Sequence, residues 1–223
     1  RSFPGTDQAK NGSSAGVLFA HMGDDIGLEH NWLVGISLHQ TRRVNAISEA
    51  VPDQLNTAGG VSNSFTGDSR TAGLDFIWKY APNGNARETH FKFLSEYFQR
   101  KENGLLTYDT GTTTANITDR YTATQSGWYV QSIYQFVRRW RAGLRYDRLD
   151  TGTAQVGPLN IANVVSNYQY SPTRKTLMLD YSPSEFSRLR LQLVQDNSRL
   201  GLPDQQLFVQ YIMSIGAHGA HQY

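Results

Sequence analysis

The feature that most constrains this chain is a strict two-residue alternation that recurs along its length, with apolar and aromatic residues on one parity and charge on the other. Thr71 to Ala81 shows it most clearly: Ala72, Leu74, Phe76, Trp78 and Tyr80 share one parity, and Gly73, Asp75, Ile77 and Lys79 share the other. Side chains in a β-strand alternate faces with period two, so such a segment is a strand with one oily side and one polar side. The same holds for Phe91, Phe93, Ser95 and Tyr97 against His90, Lys92, Glu96 and Arg100. It holds again for Trp140, Ala142, Leu144 and Tyr146 against Arg141, Gly143, Arg145 and Asp147, and for Leu189, Leu191 and Leu193 against Arg190, Gln192 and Asp196. Trp128 and Tyr134 fall on the apolar parity of their own segment.

Strands are predicted near 14–21, 30–40, 71–81, 88–100, 125–136, 140–149, 174–182, 187–196 and 205–216. Long polar stretches, rich in Gly, Ser, Thr, Asn and Asp, separate some of them at 41–70, 102–123 and 150–173, with a shorter one at 197–204. Tight connections separate the others. Pro82-Asn83-Gly84-Asn85 is an Asn-Gly turn signal, and Val137-Arg138-Arg139 and Ser182-Pro183-Ser184-Glu185 are the further two. Alternating faces and alternating loop lengths together predict an all-β fold, an antiparallel transmembrane β-barrel with lipid outside and a wet lumen inside. Strands of about ten residues match a tilted crossing of the hydrocarbon layer.

The competing reading is a soluble β-sandwich or up-and-down barrel whose aromatic face is its core. Bulk composition does not separate the two: the hydrophobic share is 39% and mean hydropathy is -0.50, but a barrel exposes only alternate strand residues to lipid. No apolar run reaches the roughly 18 residues that a spanning helix requires. Cysteine is absent, which removes disulfides, thiolate metal sites and Cys nucleophiles and suits an oxidising compartment. A net charge of +2 gives no electrostatic case for nucleic acid. The sequence holds no Gly-x-Ser-x-Gly, His-Glu-x-x-His or phosphate-loop motif, so no enzyme is expected.

The about nine to ten strands lie in a single domain over 1–223. Complete bacterial barrels have an even strand count, so an odd count predicts the C-terminal portion of a larger, even-stranded barrel. On the polar parity, Asp75, Lys79, Lys92, Glu96, Arg100, Arg141, Arg145, Asp147, Arg190 and Asp196 are the expected lumen-lining residues. Opposed charges on a lumen wall tune selectivity, or pair and fill a narrow barrel. In the first case the stretches 41–70, 102–123 and 150–173 would constrict the pore or recognise ligand. In the second the barrel is structural or adhesive, and its outer loops bind.

Two sets of residues have metal-ligating chemistry. His218 and His221 lie in a Gly-Ala-His-Gly-Ala-His repeat; in a bent tail, though not in a strand, both imidazoles could meet one zinc or other divalent ion with a third ligand from elsewhere, and a flexible, small-residue terminus is the competing reading. His21, Asp24, Asp25, Glu29 and His30 gather around the first expected turn, where a solvated acidic turn competes with a metal site.

Four segments, Phe76 to Asn85, Glu96 to Gly104, Trp140 to Asp147 and the terminal Gly216 to His221, resemble Gram-negative outer-membrane barrel proteins. The group they resemble is porin-like, described as zinc-regulated or TonB-dependent-receptor-like. The resemblance implies an outer-membrane location and passage of small solutes or metal ions. It also implies contact with the lipid bilayer, with lipopolysaccharide and with the barrel assembly machinery. Barrel proteins of this kind end on an aromatic residue preceded by apolar residues at alternate positions, and that pattern assigns Tyr223 as the assembly signal. Leu207, Val209, Tyr211, Met213 and Ile215 keep the parity, while Gly219 and His221 break it.

Overall fold

The computed structural model describes residues 15–48, 63–108, 117–157 and 170–214. They form one nine-stranded antiparallel sheet in sequential order. The strands are β1 (Ala15–Ile26), β2 (His30–Ser48), β3 (Asn63–Tyr80), β4 (His90–Tyr108), β5 (Ile117–Val137), β6 (Trp140–Val156), β7 (Thr173–Ser184), β8 (Ser187–Asn197) and β9 (Asp204–Met213). Each strand pairs with its sequence neighbours, as hairpin connections dictate. The sheet is not closed into a barrel: among the described residues β1 and β9 are its two open edges. All nine strands overlap the positions the alternation gave, but β1 runs on to Ile26 through the segment expected as the first turn, and 215–216 of the expected last strand lie outside the described residues.

The expected long connections are shorter than the sequence indicated. β2 and β3 stay paired up to Ser48 and Asn63, and β4 and β5 up to Tyr108 and Ile117. A ladder continues through polar residues as long as both neighbours continue, and Thr, Tyr and Ile favour extended backbone there. What stopped the predicted strands was the loss of apolar alternation, which marks the end of the oily band rather than the end of the strand.

The tight connections all lie at the opposite end of the sheet. In the β3–β4 connection Asn83 and Gly84 both adopt positive φ, 55° and 68°, which Gly permits freely and Asn tolerates. Gln135 on β5 is buried and donates from Nε2 to the carbonyls of Arg87 (2.7 Å) and Glu88 (3.0 Å), tying this connection to the sheet.

Every described strand belongs to this one sheet, and no second layer among the described residues covers its oily face. That face is exposed in the middle of the strands: Leu74 is 50% accessible, Leu144 62% and Val209 75%. The charged parity is the more enclosed one. Residues of β4 to β8 on that side, among them Glu96, Tyr129, Arg145, Thr176 and Gln192, line a single trough of about 750 Å³. A sheet whose polar side chains from five strands share one cavity curls toward that side, as its natural twist allows.

A small apolar cluster lies on the enclosed face of the strand extensions beyond the band. Phe65, Leu106 and Val156 are buried there, with Tyr121 set edge-on to Phe65 at 5.5 Å between ring centroids. The glycine pair Gly67 and Gly104, directly opposed in the ladder, gives the Phe65 ring its place. A Cβ on Gly104 would come within 2.6 Å of the Gly67 Cα and 2.9 Å of the Phe65 ring. Gly104→Val is therefore expected to cost about 1–3 kcal/mol by overpacking, read as a lowered urea midpoint.

Candidate functional site: the charged face

The register brings the charged residues of the enclosed face into two rows. One follows the hydrogen-bonded ladder from Asp75 through Glu96, Tyr129, Asp147, Arg174 and Asp196 to Asp204, each directly opposite the next. The other lies toward the tight turns and is dominated by cations. Lys79 and Lys92 face each other across β3 and β4, and Arg141, Asp180 and Arg190 line up across β6, β7 and β8.

Asp180 is the most enclosed group of the second row, fully buried at 0% accessibility. Its carboxylate accepts from Arg190 Nε at 2.8 Å and Nη2 at 3.0 Å, and from Arg141 Nη2 at 3.0 Å. Arg188 Nε stands 3.8 Å away, buried and without a hydrogen bond. A carboxylate out of contact with water is tolerable only when paired and hydrogen-bonded, and two guanidinium groups satisfy both its oxygens. Three arginines around one carboxylate leave this part of the wall cationic.

The first row holds a second cluster. Arg145 donates to Asp147 at 2.7 to 3.0 Å and to Gln131 at 3.2 Å. Its guanidinium carbon also lies 3.8 Å from the centroid of the Tyr129 ring, a cation–π contact. Elsewhere Arg100 pairs with Glu102 and donates to Ser69 at 3.0 Å. Arg174 approaches Asp196 at 4.0 Å, and His21 approaches Asp75 at 3.4 Å.

All ten expected lumen-lining residues therefore lie on the charged parity. Glu96, Arg145, Asp147, Arg190 and Asp196 share the trough. Arg141 joins Arg190 through Asp180, whereas Asp75, Lys79, Lys92 and Arg100 lie outside the trough. Asp180, Tyr129 and Arg188 are central to these clusters and were missed in the sequence. Asp180 had a signal, since it is flanked by Leu179 and Tyr181 on the apolar parity of β7. Tyr129 had less, because an aromatic residue on the polar parity reads as noise.

The acidic turn does not gather as a metal site. Asp25 accepts from the Asn31 side chain at 2.8 Å, and Glu29 accepts from the Asn83 backbone at 2.7 Å. His30 stacks on Trp78 and Tyr80, with ring centroids 5.8 and 4.8 Å away. Among the described residues no group of three or more His, Cys, Asp or Glu could hold a metal ion. His218, His221 and Tyr223 lie outside the described residues.

An uncharacterized protein of Aquifex aeolicus (strain VF5) is 29% identical to this chain over 167 residues, covering 72% of the chain and 32% of that protein. The chain thus matches about a third of the length of its curated relative. No family model matches the chain, and no solved structure matches it.

Proposed function

We propose that this sheet is part of the wall of a transmembrane β-barrel in a bacterial outer membrane, and that the barrel passes small solutes or metal ions. The observation that carries this reading is the inversion of burial from β2 to β8: the apolar parity is the more exposed and the charged parity the more enclosed, in a sheet with no covering layer among the described residues. In water such a surface would collapse or aggregate. Against lipid tails it is the stable arrangement, because a sheet whose backbone pairs within itself has no polar groups left to satisfy. Closure requires that the open edges of β1 and β9 find strand partners, since unpaired edges do not persist in hydrocarbon.

Solute passage is supported by the trough, whose lining carries carboxylates, guanidiniums and amides, the chemistry of a polar lumen. Contact with lipid, with lipopolysaccharide and with the barrel assembly machinery follows from the same reading. A second reading is favoured by the pairing itself. Arg141, Arg145 and Arg190 are each engaged with carboxylates, as in a barrel filled by its own side chains. That barrel would be structural or adhesive and would bind through its outer loops.

The test is planar-bilayer conductance of the longest natural polypeptide that contains this chain, after folding into detergent and a check for heat-modifiable gel mobility. Stepwise conductance from a heat-modifiable species is the expected result. A heat-modifiable species that never conducts would favour the filled barrel. A polypeptide that stays soluble and monomeric without detergent would overturn the membrane reading.

A further inference from the structure

The outward, apolar face has different boundaries at its two ends. Toward the tight turns it ends in rings: Trp78 and Tyr80 on β3, Phe91 and Phe93 on β4, Trp140 on β6 and Tyr181 on β7. Toward the long connections cations join the rings, with Arg148 directly opposite Trp128 and two residues from Tyr146. Arg70, Lys101, Arg148 and Lys175 are all exposed and all on the outward parity. Ring and cation stand six to ten residues apart, the outermost rings Tyr80 and Phe91 lying ten from Arg70 and Lys101. Arg70 and Trp78, Phe93 and Lys101, and Trp140 and Arg148 are each eight residues apart on one strand, and Lys175 and Tyr181 are six apart. Between them no outward position on these four strands carries charge. Eight residues span about 26–27 Å along a strand. A tilt of about 35–45° reduces that to roughly 19–22 Å of height, and long cationic side chains reach a few ångströms further. The result is close to the outward apolar band of a membrane barrel, about 25 Å.

The outward cations also differ from the enclosed arginines in their partners. Arg100, Arg141, Arg145, Arg174, Arg188 and Arg190 each lie within 4.0 Å of a carboxylate. Arg70, Lys101, Arg148 and Lys175 form no ion pair among the described residues. Instead they face one another. Arg70 lies directly opposite Lys101 in the ladder, and Lys175 lies diagonal to Arg148, whose direct partner is Thr173. Like charges directly opposed across an antiparallel pair are destabilising, and the outward carboxylates Asp68 and Asp150, two residues further along β3 and β6, form no ion pair with them among the described residues, so an anion from outside the sheet would relieve the arrangement.

Resting on the membrane-barrel reading, we propose that these four residues form a cationic shelf that binds the phosphate groups of lipid A, the anionic glycolipid anchor of lipopolysaccharide. The two cation pairs stand where the hydrocarbon ends, at the depth of lipid phosphates. A charge on the lipid face costs little there, about 0–1 kcal/mol, against several times that at the midplane. The opposite, aromatic boundary carries no such cations on these strands, so the shelf assigns the end bearing the long connections to the lipid A leaflet.

The experiment follows the midpoint of heat-modifiable mobility as lipid A is titrated into zwitterionic micelles holding the longest natural polypeptide that contains this chain. Lipid A is expected to raise the midpoint. The variant with Arg70→Gln, Lys101→Gln, Arg148→Gln and Lys175→Gln is expected to lose most of that rise. The two paired variants, Arg70→Gln with Lys101→Gln and Arg148→Gln with Lys175→Gln, should each lose part of it, which keeps the test open if the fourfold variant does not fold. Arg138→Gln with Arg139→Gln, which removes two exposed cations of the β5–β6 turn at the opposite end of the sheet, should keep the rise. Full retention in the shelf variants would overturn the proposal while leaving the barrel intact. An equal rise with inorganic phosphate or with phosphatidylglycerol would overturn the assignment to lipid A. Absence of any heat-modifiable species would overturn the barrel and the shelf together.

Discussion

Asp180→Ala is expected to destabilise the fold more than any other single substitution on the charged face. The carboxylate is fully buried and is the shared acceptor of Arg141 and Arg190, with Arg188 in reach. Removing it leaves a guanidinium cluster without its counter-charge. Breaking a buried pair from one side costs about 3–5 kcal/mol. The lower end applies here, because the Arg141 and Arg190 side chains keep 23% and 25% of their accessibility and water takes over part of the lost interaction. The measurement is urea unfolding of the folded polypeptide, followed by tryptophan fluorescence. A loss below about 1 kcal/mol would mean that the arginines are solvated in the variant and that the cluster does not hold β6, β7 and β8 together. Asp180→Asn separates charge from shape. It keeps the volume and one acceptor oxygen, so it should recover packing but not the electrostatic part.

Leu144→Arg separates a lipid-facing sheet from a water-facing one. Leu144 is 62% exposed and sits midway along the Trp140-to-Arg148 interval on β6. In a bilayer an arginine at the midplane of the outward face costs about 2–4 kcal/mol. At an exposed site in water the same substitution is worth only a few tenths of a kcal/mol. Unfolding measured in vesicles should therefore show a loss of at least about 2 kcal/mol. Gln192→Arg is the matched control, since Gln192 lies on the enclosed face and lines the trough. A small effect in both variants would remove the lipid-facing assignment.

Pairing on the charged face was legible in the sequence where it stays within one expected strand. Arg145 meets Asp147, because residues two apart on one strand share a face and stand side by side; the Arg100–Glu102 pair lay across the expected end of its strand and was not legible. The Arg141–Asp180–Arg190 alignment was not legible. It depends on how far each pairing slides its strands, and the β7–β8 hairpin carries an irregularity between Tyr181 and Ser184. The outward cations Arg148 and Lys175 stood inside the expected strands 140–149 and 174–182. Arg70 and Lys101 were hidden for a different reason: they lie just outside the expected strands 71–81 and 88–100, where apolar alternation fades, so they looked like loop charges. Only the continued ladder places them on the outward face.

The sequence by itself determined the strands, their order of tight and long connections, and which residues share a face. All three follow from period-two alternation and local turn chemistry, which act over a few residues. The tertiary structure decided the rest: how far the strands run beyond the oily band, which charges meet across them, and toward which face the sheet curls. Those depend on register and twist, set by hydrogen bonds between residues distant in the chain, and a one-residue slip in register would move every side chain of a strand to the other face.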